Sequence, residues 1–261
     1  MNIELLDYLP LWLLVPVFAL VLWGALEAGY RCGKWRHATT PDEREQPVAA
    51  IVASILGLLA LVLGFTFGLA ASRFDARRQA VLEEANAIGT TYLRASFLPA
   101  EQRTTSVKYL KEYTAARLQA AKDENPAPAI ARSEALQVKL WHDAVIVGSA
   151  NPTSEMVSLY IDSLNHLIDL NSVRVLVGLR SRIPAVMWGG LLAMSFMGMA
   201  SVGYQAGLSA TRRSPVKIAM IIAFTIVLSL IADLDRGREG SLRVSQQALV
   251  DVQEMMESQQ P

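Results

Sequence analysis

"GFTFGLAASRFDARR", residues 64–78, begins as glycine-spaced apolar sequence and ends as a cluster of arginines around one acid, with no turn signal in between. Neither glycine nor proline interrupts the chain from Ser72 until Gly89. One helix is therefore predicted from Val48 to Phe97, ~75 Å long at 1.5 Å per residue. Its first half is apolar and its second half polar, as in a rod that crosses a bilayer and continues into water.

Three further apolar blocks accompany it. The four blocks lie at about 11–28, 48–71, 185–206 and 216–234, each near the ~20 residues that a ~30 Å hydrocarbon core requires. The fold class expected is all-α: a polytopic membrane protein with four transmembrane helices and a helical extramembrane domain inserted between spans 2 and 3. The expected divisions are 1–71 (spans 1 and 2 with a short basic loop), 72–182 (the helical domain), 183–234 (spans 3 and 4) and 235–261 (a tail). Glu4 and Asp7 precede the first block, and no small-residue cleavage site follows it. It therefore reads as a retained span rather than an export signal, with Trp12 and Trp23 as interfacial anchors.

Within 72–182 the sequence reads as helix after helix. Pro99 opens a second one. "DENPAPAIARS", residues 123–133, reads as a loop with an N-cap at Ser133, and Asn151–Pro152 as the start of a long helix reaching Arg182. Pro184 marks the junction with the third span. Four spans place the helical domain and the tail on one side and the short loops on the other. Arg31, Lys34, Arg36 and Arg44, then Arg212, Arg213 and Lys217, load those loops with positive charge. The positive-inside rule thus puts the loops in the cytoplasm and the helical domain in the periplasm, although Arg73, Arg77, Arg78, Arg180 and Arg182 border that domain.

Ala60, Gly64, Gly68 and Ser72 fall at i, i+4, i+8 and i+12, one stripe of small side chains. In lipid, close backbone approach replaces the hydrophobic effect as the source of helix association. The stripe is expected to pack on another span of the same chain or to meet a neighbouring subunit. A heptad-like row continues it through Ala71, Phe74, Arg78, Val81, Ala85, Ile88 and Tyr92, as helices clustered about an axis would show. The third span carries Gly189/Ala193 and Gly203/Gly207 at the same spacing. Asp233, Asp235 and Arg236, at the end of the fourth span, are expected at the depth of Arg73, Asp75, Arg77 and Arg78, forming structural ion pairs or a charged rim.

Several function classes are excluded or disfavoured. The chain of 261 residues carries 24 basic and 24 acidic side chains, so it lacks the basic field of a general nucleic-acid binder. One cysteine, Cys32, permits no intrachain disulfide. Asp162, His166 and Asp169 share a helix face but read as a polar stripe rather than a metal site, and Glu83, Glu84 and Asn86 as intersubunit hydrogen-bonding groups. With no phosphate loop or nucleophile motif, neither an enzyme nor a cofactor is expected.

"LGLLALVLGFTFGLAASRFDARRQAVLEEANAIGTTYLRA" (56–95) and "LIADLDRGREGSLRVSQQALVD" (230–251) resemble the bacterial four-span membrane family labelled bestrophin-like. The chain is also similar to bestrophin chloride channels, in which a second span ending in a Ser-aromatic-Asp-basic turn lines a pentameric pore narrowed by apolar side chains. Ser72, Phe74 and Asp75 match that turn. Arg73 is an insertion in it, and Arg77 and Arg78 stand in place of a tryptophan pair. The resemblance implies a homo-oligomer, in number a pentamer, in a bacterial inner membrane. It also implies pore-lining or constriction residues at Gly64, Phe65, Thr66, Phe67 and Gly68, a cationic vestibule and a small permeant anion. The alternative is a non-conducting scaffold or envelope sensor whose helical domain binds a partner.

Overall fold

The computed structural model describes residues 10–39, 45–123, 125–209, 215–237 and 240–259. These form helices α1 (Leu11–Thr39), α2 (Glu45–Arg94), α3 (Ala100–Lys122), α4 (Ala127–Ala150), α5 (Glu155–Val175), α6 (Ala185–Leu208), α7 (Pro215–Asp235) and α8 (Gln247–Ser258). A 3-10 turn follows α2 at Ala95–Phe97, and a π turn extends α5 through Leu176–Arg180. Among the described residues there is no strand, and four helices are long and apolar enough to cross a membrane: α1, α2, α6 and α7.

The chain divides into two compact units, 1–74 with 182–243, and 75–181 with 244–261. In the first unit, Leu14, Phe18 and Leu22 of α1 pack with Leu59 and Leu63 of α2, Met199 of α6 and Leu228 of α7. What brings α1 and α6 together is backbone proximity. A Cβ added at Gly29 would lie 1.9 Å from the Ala200 carbonyl oxygen, and one at Gly33 2.2 Å from that of Tyr204. The relation is mutual, because a Cβ at Gly203 would sit 2.0 Å from the Leu26 carbonyl and one at Gly207 2.5 Å from that of Tyr30. Two i, i+4 glycine pairs thus interlock, the arrangement that lets lipid-embedded helices gain van der Waals contact without a hydrophobic driving force.

α1 continues to Thr39 rather than ending near Ala28. Glu27 and Arg31 pair at 2.8 Å one turn apart, supporting the helix where it becomes polar. Arg31, Lys34 and Arg36 therefore ride on the last helical turns instead of a loop. Arg44, Arg212 and Arg213 lie outside the described residues.

The second unit is built around Tyr92, Tyr113 and Tyr160 with Ile88, Leu110, Leu140 and Leu164, and α8 adds Leu249 and Met256. Two boundaries differ from those expected. Pro126 and Pro128 sit at the cap and first turn of α4, where a missing N–H costs nothing, so the helix begins at Ala127 and Ser133 lies inside it, donating to the Ile130 carbonyl. Asn151 closes α4 by donating to Val147, and the cap of α5 is Ser154, whose hydroxyl accepts the Val157 N–H at 3.3 Å.

Glu84, expected to bond between subunits, is instead fully buried within its own unit. Its carboxylate accepts from the Tyr113 hydroxyl at 2.6 Å, faces Arg117 Nε at 2.8 Å and pairs with Arg174. Arg174 also donates to Gln246 Oε1 at 2.7 Å, which ties the start of the tail into the same network. Gln137 and Asn171 extend it from α4 and α5. Burial, with the Glu84 carboxylate alongside, holds the Tyr113 phenol well above its ordinary range.

Two predictions follow from these cores. Gly203→Val should destabilise the protein by ~3 kcal/mol or more, since the clash is with backbone rather than with a yielding side chain; Gly24→Ala, where an added Cβ meets no described atom within 4 Å, should shift the detergent melting temperature little. Glu84→Gln leaves the buried Arg117 and the half-buried Arg174 guanidinium without their carboxylate and should cost ~3–5 kcal/mol, read as a lower urea midpoint.

Candidate functional site

The face of α2 that matters is the one its own unit does not use. Val52, Leu59, Leu63, Thr66 and Ala70 are buried and recur at helical spacing, which turns one side of the rod into the unit's core. The opposite side carries Gly57, Ala60, Gly64, Gly68 and Ser72, all exposed. A Cβ added at Gly57, Gly64 or Gly68 would meet no described atom within 4 Å. The small-residue stripe is therefore not what packs α2 within the chain. That work falls to its apolar side, where Leu59 and Leu56 rest over Gly198 of α6, 3.1 and 3.5 Å from a Cβ placed there.

Phe65 and Phe67 are 71% and 41% exposed. Two residues apart, they point ~200° from one another around the helix, so they bracket the small-residue strip. Thr66, expected to line a pore, is only 5% exposed. Its hydroxyl donates to the Val62 carbonyl at 2.8 Å, a bond within its own helix. It faces the core because it falls midway between the two phenylalanines in angle.

The expected charged rim also separates into parts. Asp75 and Arg78 are exposed and Arg73 is half-buried. Arg77 is buried, and its guanidinium donates to the Ser181 carbonyl at 3.2 Å. Asp233, Asp235 and Arg236 are buried as well, and the two acids serve their own unit. Asp235 accepts from the Ile183 backbone N–H at 2.8 Å and from the Trp188 indole at 3.4 Å. It thereby places negative charge at the N-terminus of α6, where the helix dipole favours it. Asp233 accepts from the Ser241 N–H at 2.9 Å and closes the turn after α7. Gly240 in that turn has φ 138°, and a Cβ there would be 1.9 Å from Asp233 Oδ1; only glycine fits. These two carboxylates are corner braces rather than a vestibule.

Asp162, from the i, i+4, i+7 polar stripe on α5, lies 3.8 Å from Arg94 Nη1, and Arg94 also donates to the Leu159 carbonyl at 2.8 Å. The stripe thus helps fasten α5 to the end of α2.

The bestrophin-like domain description matches residues 19–249, and the chain belongs to the bestrophin-like family. It is an integral membrane protein. Its fold is that of a bacterial bestrophin homolog from Klebsiella pneumoniae: one mutated form aligns with TM-score 0.71 at 14% identity over 95% of this chain and 99% of that one. Another mutated form gives 0.72 at 14% identity over 94% and 99%. A third crystal structure of the homolog gives 0.64 at 14% identity over 95% and 98%. No curated protein matches the chain in sequence.

Asp235→Ala should cost ~1–3 kcal/mol, the penalty for stranding a buried donor. Asp75→Ala, at an exposed carboxylate, should stay within ~0.5 kcal/mol of the parent; thermal melts of the two variants in detergent provide the comparison.

Proposed function

We propose that the chain assembles through the small-residue face of α2 into a homo-oligomeric channel for small anions, with α2 nearest the axis. The observation that carries this reading is a contrast between two exposed faces of one unit. α7 presents Val216, Ile218, Ile222, Ile226 and Leu230 outward, the large aliphatic side chains suited to acyl chains. α2 also exposes Ile51, Leu58 and Leu61, but its outward face is set mainly with glycine, alanine and serine, which lipid contact does not require and close helix contact does. Gly64 and Gly68 are the proposed contact points, and Phe65 and Phe67 the apolar walls flanking them, where a constriction would form. Arg78 and Asp75, the exposed charges just beyond the span, are the proposed rim, with Arg73 partly contributing. A ring of five is the number the resemblance implies.

In this reading, 75–181 together with the tail from Val244 forms an extramembrane domain on one side of a bacterial inner membrane. The positive-inside rule assigns the cationic last turns of α1 to the cytoplasm, which supports a periplasmic domain.

Mass photometry in detergent should give one discrete multimer, and Gly68→Leu should reduce it to protomers of unchanged helix content. In liposomes the parent should pass chloride, and Arg78→Glu should lower the chloride-to-sodium preference by ~3-fold or more, because a ring repeats the reversal in every copy. A closed ring that passes no ion would favour the scaffold or sensor instead.

A further inference from the structure

The first unit has a groove on another side of α2. A space of about 530 Å³ opens between α1, α2 and α6, lined by Gly29 and Cys32, by Val48 and Val52, and by Ala200 and Ser201. Its floor exists because the glycine contact draws α6 onto α1, while the first turns of α2 stand across from them. All three walls belong to helices long and apolar enough to cross a membrane. Ala28, Cys32 and Ile51 of the lining are exposed and mark the mouth.

The groove continues beyond its mouth as a furrow on α1. Gly24 and Val21 precede Ala28 by four and seven residues, so they extend the same side of the helix. Both are exposed, and a Cβ added at Gly24 would meet no described atom within 4 Å. From Cys32 to Val21 the furrow runs about 16 Å along the helix axis, close to the depth of one leaflet of a ~30 Å hydrocarbon core. It starts where α1 turns polar, beside the Glu27–Arg31 pair, and runs into the apolar part of the span. Water is a poor occupant, because an ordered water needs several polar partners. The Ser201 hydroxyl already donates to the Met197 carbonyl of its own helix at 2.8 Å. Left empty, the lining would forfeit its dispersion contacts. A second copy seated on Gly64 and Gly68 does not reach the groove, since Val48 and Val52 lie about 120–160° from those glycines around α2.

We propose that the groove and its furrow bind one acyl chain of a membrane phospholipid, held in place rather than exchanging as solvent. The ester end lies at the level of Cys32 and the methyl end near Val21. Recognition is of the hydrocarbon tail: Gly24, Ala28 and Ala200 leave it room, and Val48, Ile51 and Val52 supply its contacts. The binding is non-covalent and independent of whether the protein conducts ions.

The test uses the whole protein in phosphatidylcholine vesicles doped with a phosphatidylcholine that carries a photoactivated diazirine on its acyl chain. After irradiation, peptide mapping should place adducts on Ile51, Val52 and Ala200 several-fold above those on Ile218, Ile222 and Ile226, the exposed aliphatic face of α7. Val52 is only 5% exposed, so a lipid tail labels it by entering the groove. Ala28→Phe, at an exposed position in the mouth, should remove the Val52 adducts and leave those on α7. Groove labelling no stronger than that of α7, or Val52 adducts that survive in Ala28→Phe, would overturn the assignment. Gly68→Leu separates the site from assembly: the groove adducts should persist in it whether or not an oligomer dissociates. Adducts that appear only in Gly68→Leu would also overturn the assignment, because a second copy would then cover the groove in the parent.

Discussion

Two helices in a bilayer expel no water when they meet, so the contact between α1 and α6 has to be made from atoms brought very close. The interlocked pairs Gly29/Gly33 and Gly203/Gly207 do this by removing every Cβ that would hold the backbones apart. Once α6 is seated on α1, its opposite surface is available at Gly198 for Leu59 and Leu56 of α2. The groove bordered by α1, α2 and α6 is a by-product of the same seating. A single steric rule, glycine where backbones must touch, thus sets the relative placement of three of the four spans.

How much of this could be read from the residues depended on the kind of signal involved. Span number and the continuity of α2 into water are legible because apolar length, and the lack of glycine or proline between Ser72 and Gly89, are local properties. Gly203/Gly207 were recognised as a packing pair, yet the matching Gly29/Gly33 was passed over, although it too is an i, i+4 glycine pair. It sits where the chain turns basic, and the charge masked the spacing. α8 was missed although Leu249 and Met256 lie seven residues apart, because a short helix after a glycine-containing turn resembles a tail. Helix starts at Ala127 and Glu155 were misplaced for one reason: proline and asparagine fit the end of one helix as well as the beginning of another.

Charged residues were the least legible feature. Glu84 reads in the sequence, with Glu83 and Asn86, as an intersubunit hydrogen-bonding group. Its role depends on Arg117, Arg174 and Tyr113, far away in the chain. Asp233 and Asp235 raise the same ambiguity at the end of a span. An acid there can face an ion path or satisfy a backbone N–H, and only the fold shows that Ile183 and Ser241 present those N–H groups to them.

These assignments bear on where a conduit could be built. With Asp233, Asp235 and Arg77 committed to bracing within their units, Asp75 and Arg78 of α2 stay exposed. α1 and α6 have joined their glycines to each other, and α7 has an aliphatic face that lipid satisfies. Among the described residues, α2 alone combines a small-residue strip whose glycines no other helix touches with exposed charges beyond it. Glycine in a helix interior is unfavourable by roughly 0.5–1 kcal/mol relative to alanine, and at Gly57, Gly64 and Gly68 no contact with the described residues offsets it. A second copy of the chain, as proposed, would supply that contact; lipid would not.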